Sequence, residues 1–108
     1  MTRRAAEARG RQGEALAAWW LRLRGWRIVA RRQRVAAGEV DLVARRGGTL
    51  AFIEVKWRGN AADLATSVDA WRLRRVAAAA AMLAPRLARP QENIRIDVML
   101  LAPWRLPH

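Results

Sequence analysis

The sequence has few of the groups from which active sites are commonly built. It has no cysteine, and its single histidine, His108, is the last residue. Disulfides, thiolate metal sites, His/Cys zinc sites and histidine general-base catalysis are thereby excluded. The lack of cysteine agrees with a reducing interior, and a cytoplasmic location is the expectation. No apolar run approaches the roughly 20 residues that a membrane-spanning helix needs. The N-terminal arginines have no apolar segment beside them, so neither a secretory signal nor a membrane partner is expected. Acids are scarce too, nine against 21 bases, which leaves a net charge of +12. Lysine is scarcest of all: Lys56 stands alone among the bases, and every other one is arginine.

What is present suffices for one folded unit. A chain of 108 residues has room for a single compact domain, and 53% hydrophobic content with six tryptophans can build its core. A GC-rich genome would explain arginine in place of lysine, but not the excess of bases over acids. That excess points to a polyanionic partner, nucleic acid before acidic membranes or proteins, and DNA before RNA.

Residues 1–12 read as a basic flexible arm, and 103–108 as a tail. From about Gln12 to Arg24, Leu16, Trp19, Trp20 and Leu23 recur at helical spacing, and Gly25 is a natural stop. Glu14 shares a stripe with Ala17, Ala18 and Leu21, beside that apolar face. Trp26 to Val29 reads as a strand, followed by the basic segment Arg31-Arg32-Gln33-Arg34. A long alanine-rich helix is expected from Leu64 to Ala84, ended by Pro85. Its Arg72, Arg74 and Arg75 form a basic turn. Ile94, Ile96, Val98 and Leu100 alternate as a last strand, parallel to the strand before the helix. The fold class is therefore α/β, with the order helix–strand–strand–strand–helix–strand and a mixed central sheet. Trp57 and Trp71 are candidates for stacking on bases.

The most informative stretch is residues 38–58. Two β-rich runs flank Gly47-Gly48, a hairpin signal. With those glycines as the turn, Arg46 faces Thr49, Asp41 faces Glu54 and Glu39 faces Lys56. Alternation puts these last four on one face, and Val40, Leu42 and Ala44 with Ala51, Ile53 and Val55 on the other. Two opposed carboxylates repel, and a fold tolerates them when a cation lies between them or one holds a proton. A carboxylate pair suits Mg²⁺ or Mn²⁺, which take oxygen ligands. Lys56, two residues beyond Glu54, projects on the same face and can orient a water or stabilise a charged transition state. These parts describe metal-assisted phosphodiester hydrolysis.

Gly38-Glu39-Val40-Asp41-Leu42 followed by Phe52-Ile53-Glu54-Val55-Lys56-Trp57-Arg58 resembles the PD-(D/E)xK restriction-endonuclease-like nucleases. Within them the chain most resembles the YraN-like family of uncharacterised bacterial proteins, and more distantly the archaeal Holliday-junction resolvases. The similarity extends to Gly13-Glu14, Arg34 and Arg95-Ile96-Asp97-Val98. It implies a restriction-endonuclease-like core, with Asp41 and Glu54 as metal ligands and the Val55 carbonyl as a third. Lys56 would be the catalytic lysine and Glu14 an accessory acid. Arg34, Arg58, Arg72 and Arg75 are the candidate nucleic-acid contacts. Arg32 stands where such relatives often have asparagine, and Arg72 where they often have lysine. The implied activity is a metal-dependent endonuclease on DNA, branched or damaged DNA included. Resolvases of this kind act as dimers, so a homodimer is an expectation. A binding module that keeps the fold without turnover, and a basic structural protein of a nucleoprotein particle, are the competing readings.

Overall fold

A computed structural model of the chain describes residues 3–57 and 70–101, with side chains for 11–56 and 70–101. The order is α1 (Arg3–Leu23), β1 (Arg27–Val35), β2 (Gly38–Arg46), β3 (Thr49–Trp57), α2 (Ala70–Leu87) and β4 (Asn93–Leu101). The four strands form one mixed sheet in the order β1-β2-β3-β4. The first three strands are antiparallel neighbours, and β4 runs parallel to β3. This α/β layout is consistent with a restriction-endonuclease-like core.

The sheet separates two apolar layers. On one face Leu42, Ala44, Ala51, Ile53, Met99 and Leu101 pack against Ala17, Ala18 and Leu21 of α1. On the other, Val40, Val43, Leu50 and Phe52 pack against Val76, Ala79, Ala80 and Leu83 of α2. The small residues of both helices let the backbones approach the sheet closely, and Phe52 fills the middle of the second layer, fully buried. Gly25 ends α1 as expected. With φ of 89° it lets its own amide donate to Arg22 and the Trp26 amide donate to Leu21, closing the last turn.

Four expectations need correction. The helix α1 begins at Arg3, so most of the stretch read as an arm is helical; alanine and arginine are strong helix formers. Its buried stripe is Ala17, Ala18 and Leu21, whereas Leu16, Trp19 and Leu23 are exposed. The strand β1 continues through the basic segment to Val35, because Arg34 and Val35 pair with Glu39 and Gly38. Finally, α2 passes through Pro85 to Leu87. Proline there removes one donor, opposite the carbonyl of exposed Ala81, and the Ala88 amide still closes onto Ala84. The expected helical residues 64–69, together with Arg58, Trp104 and the Trp57 side chain, lie outside what the structure describes.

The turn at Gly47-Gly48 sets the β2–β3 register as the glycine pair predicts, from Arg46↔Thr49 to Leu42↔Ile53. A second fastening holds α2 to the sheet. Partly buried Arg45 of β2 donates to both oxygens of Glu92, at 2.6 and 3.1 Å, and to the Leu87 carbonyl at 2.7 Å. The guanidinium and the Arg89 amide together hold the Glu92 carboxyl below its usual range. No described helix is long and apolar enough to cross a membrane.

Gly38 opens β2 where α2 crosses closest. A Cβ there would overlap the Arg75 carbonyl group, whose carbon would lie only 2.8 Å away. Gly38→Ala should therefore cost about 1–3 kcal/mol through overpacking, read as a lower urea midpoint with an unchanged m-value.

Candidate metal and phosphodiester site

The site lies where the β2–β3 ladder stops. The β2–β3 register ends at Leu42↔Ile53, and beyond it the Val55 amide donates to Asp41 Oδ2, at 2.7 Å. The side chain of Asp41 has taken the place of a strand partner. Next to it, the neighbouring strand carries Arg32 in a left-handed conformation, φ 49°. The strict alternation of β2 breaks at this point, so Val40 joins Val43 in the α2 layer rather than Leu42 and Ala44 in the α1 layer. That corrects the regular two-faced hairpin expected from the sequence. Glu39 pairs with Arg34 across the β1–β2 turn, at 3.3 Å, instead of standing in a ladder opposite Lys56.

Three other expected members are close at hand. Glu54 is the one buried charged residue among those described. Its Oε1 receives both Lys56 Nζ at 3.2 Å and Arg72 Nη1 at 2.9 Å. Glu14 reaches in from α1 and accepts from Arg32 Nε at 2.7 Å. An open cleft of about 570 Å³ is lined by Glu14, Asp41, Glu39, Arg32, Arg34 and Arg72, with Arg11 at its rim. A smaller cavity of about 140 Å³ holds Glu54 with Trp71 and Arg75, and Arg72 and Glu39 border both. Arg72 thus stands between Asp41 with Glu14 on one side and Glu54 on the other.

The electrostatics show how tightly the acids are coupled. The Asp41 carboxyl is raised from 3.8 to about 6: burial is the largest cause, the charges of Glu54, Glu14 and Glu39 add to it, and the Val55 amide opposes it. Asp41 therefore sits where either a proton or a cation relieves the strain. Two hard carboxylates suit Mg²⁺, which commonly keeps several waters and takes one or two protein carboxylates. Among the described residues, however, no three or more acids or histidines converge as a ready metal cage. Two arginines already neutralise Glu14 and Glu54.

Of the candidate nucleic-acid contacts, Arg34 is exposed on the large cleft and Arg72 bridges the two cavities. Arg75 lies half-buried over the Trp71 ring at 5.2 Å, and Trp71 itself is exposed. Arg58 lies outside the described residues. Arg11 was missed, although its place three residues before Glu14 on one helix puts both on one face. Arg32 was recognised only as an unusual residue, not as the partner of Glu14.

Fold and site together define an α/β protein with a buried acid paired to a lysine and a second acid at a break in the sheet, rimmed by arginines. The chain belongs to the uncharacterised protein family UPF0102, which it matches over residues 13–101. It is 75% identical over 107 residues to a UPF0102 protein of Sphingopyxis alaskensis, covering 99% of this chain and 92% of that one. Identity is 66% over 105 residues to a UPF0102 protein of Rhizorhabdus wittichii, covering 97% and 89%. A UPF0102 protein of Bartonella bacilliformis is 46% identical over 107 residues, covering 98% and 88%.

The raised Asp41 has a definite sign. Its neutral form is favoured by the fold, so its contribution to stability is fully present below 3.8 and is lost as pH rises through about 6. Asp41→Asn removes the repelling charge and keeps an acceptor for the Val55 amide. It should stabilise the protein by about 1–3 kcal/mol at pH 7, and the gain over wild type should vanish near pH 4, as read by urea unfolding at both values.

Proposed function

We propose that the chain is a metal-dependent endonuclease-like protein that hydrolyses phosphodiesters in DNA, branched or damaged DNA among its substrates. The observation that supports this most is the grouping of Asp41, Glu54 and Lys56 where strand pairing gives way. There, burial and neighbouring charge make Asp41 receptive to a cation. Asp41 and Glu54 would hold Mg²⁺ or Mn²⁺, with Val55 the residue whose backbone adjoins both. When bound, the ion supplies an acidified water and neutralises charge on a phosphoryl oxygen. Lys56, held by Glu54, would orient the attacking water or offset charge in the transition state. Glu14 would act as an accessory acid from α1. Arg34, Arg58, Arg72 and Arg75 would contact the phosphate backbone, in keeping with a chain of net charge +12. A cytoplasmic location goes with this reading.

A second reading rests on a specific observation: Glu14 and Glu54 each have an arginine partner, as in a site that holds itself together without a metal. In that case the protein binds nucleic acid without turnover. The two readings differ in a single experiment. Duplex, flapped, four-way and single-stranded DNAs are incubated with Mg²⁺ or Mn²⁺ and the wild-type or Lys56→Ala protein. Catalysis predicts metal-dependent cleavage by wild type that falls about 10²–10⁴-fold in Lys56→Ala, with binding retained. A binding module predicts equal binding and no metal-dependent cleavage in either. In the same samples, Arg72→Ala should lower the slope of log affinity against log salt by about one, as loss of a phosphate contact does.

A further inference from the structure

We propose that β4 is a self-complementary edge through which two copies of this chain pair antiparallel, extending the sheet across a two-fold axis at Ile96. This interface does not rest on the nuclease reading. Among the described residues, the sheet has β1 and β4 at its edges, and the two edges are built differently. The β1 edge carries exposed Arg27, Arg31, Arg32 and Arg34, with a left-handed break at Arg32. Charge and irregularity of this kind protect an edge from pairing. The β4 edge has no such break among the described residues, and its two charges, Arg95 and Asp97, are of opposite sign. It runs nine residues, and Ile94 and Ile96 are each 43% exposed on the face where Leu50 and Phe52 are buried.

The order of residues in β4 also selects the partner. Ile94-Arg95-Ile96-Asp97-Val98 is apolar, positive, apolar, negative, apolar. Set against a reversed copy of itself about Ile96, it opposes Arg95 to the second copy's Asp97, Asp97 to its Arg95, and Ile94 to its Val98. Every pair is complementary, and cross-strand pairs of this kind stabilise a sheet. A two-residue slip either way brings Arg95 against Arg95 or Asp97 against Asp97. A one-residue slip sets apolar against charged positions. Within one chain Arg95 already reaches Asp97 at 3.0 Å, with both side chains partly exposed and available to a second copy. The contact is isologous, and its two-fold axis stands perpendicular to the sheet, so each layer of helices continues on its own side. A local charge of zero along this strand lets two copies meet there despite the net +12 of each. Moderate salt, which screens that overall repulsion, should favour the pair.

The test is the mass in solution by light scattering, at about 0.3 M salt, where the Debye length falls below about 8 Å. Wild type should have twice the 12.2 kDa chain mass. Ile96→Lys should be monomeric with an unchanged circular dichroism spectrum. Arg95→Asp and Asp97→Arg should each weaken the dimer, and the double exchange should restore it. This rescue would survive even if one single variant folded poorly. Because the chain lacks cysteine, an Ile96→Cys variant gives a clean covalent probe. Residues directly opposed across an antiparallel pair are close enough to form a disulfide. Ile96→Cys should oxidise to a dimer far faster than Ala81→Cys, which lies on an exposed part of α2. A monomeric wild type, or no cross-linking beyond the Ala81→Cys control, would overturn the proposal. So would an Ile96→Lys variant that remains dimeric, which would assign association to another surface such as exposed Leu16, Trp19 and Leu23.

Discussion

The bond from the Val55 amide to the Asp41 carboxylate is the contact on which the site depends. A backbone donor at the end of a strand must be satisfied, and here an acidic side chain satisfies it in place of the neighbouring strand. That exchange fixes Asp41 beside Glu54 and takes it partly out of water. It also ends the β2–β3 ladder, which leaves space for Glu14 to approach from α1 and Arg72 from α2. The same bond stabilises the ionised form that burial and three neighbouring acids disfavour. An ordinary ladder pair at this place would leave a stable sheet and no such cluster.

The second constraint is the closeness of α2. Gly38 admits its backbone, and the Arg45–Glu92 pair secures its far end through the Leu87 carbonyl. Arg72 is thereby held at 2.9 Å from Glu54, between the two cavities. An arginine in this position has two competing uses. It can balance the carboxylate, or it can release it and meet a phosphate. A planar guanidinium is suited to both, because it forms geometrically defined contacts with carboxylate and phosphate alike. The glycine of the Gly-Glu-x-Asp stretch and the arginines of the helix thus belong to one arrangement, although some 35 residues separate them in the chain.

How much of this could be read from the sequence depended on how local each determinant was. The β2–β3 register was legible because two glycines set it and the alternation carries it along. The element order, the parallel last strand and the helix stop at Gly25 were legible for the same reason. Three features were not. The displacement of Val40 follows from a backbone break shared by two strands, which alternation within one strand cannot reveal. The buried face of α1 was misread because tryptophan and leucine outweigh alanine in any apolar pattern, yet the face against the sheet is Ala17, Ala18 and Leu21. The arginine partners of Glu14 and Glu54 come from other elements, and in a chain with so many arginines their positions gave no distinct signal.

The central claim is that Asp41 and Glu54 share one cation. It is tested most directly by titrating the protein with Mn²⁺ and following the free ion by electron paramagnetic resonance between pH 7.5 and 5. The account predicts one saturable site per chain that weakens as pH falls through about 6, where Asp41 takes up its proton, and that is absent from Asp41→Ala. No saturable binding at neutral pH, or binding of equal strength in Asp41→Ala, would contradict it.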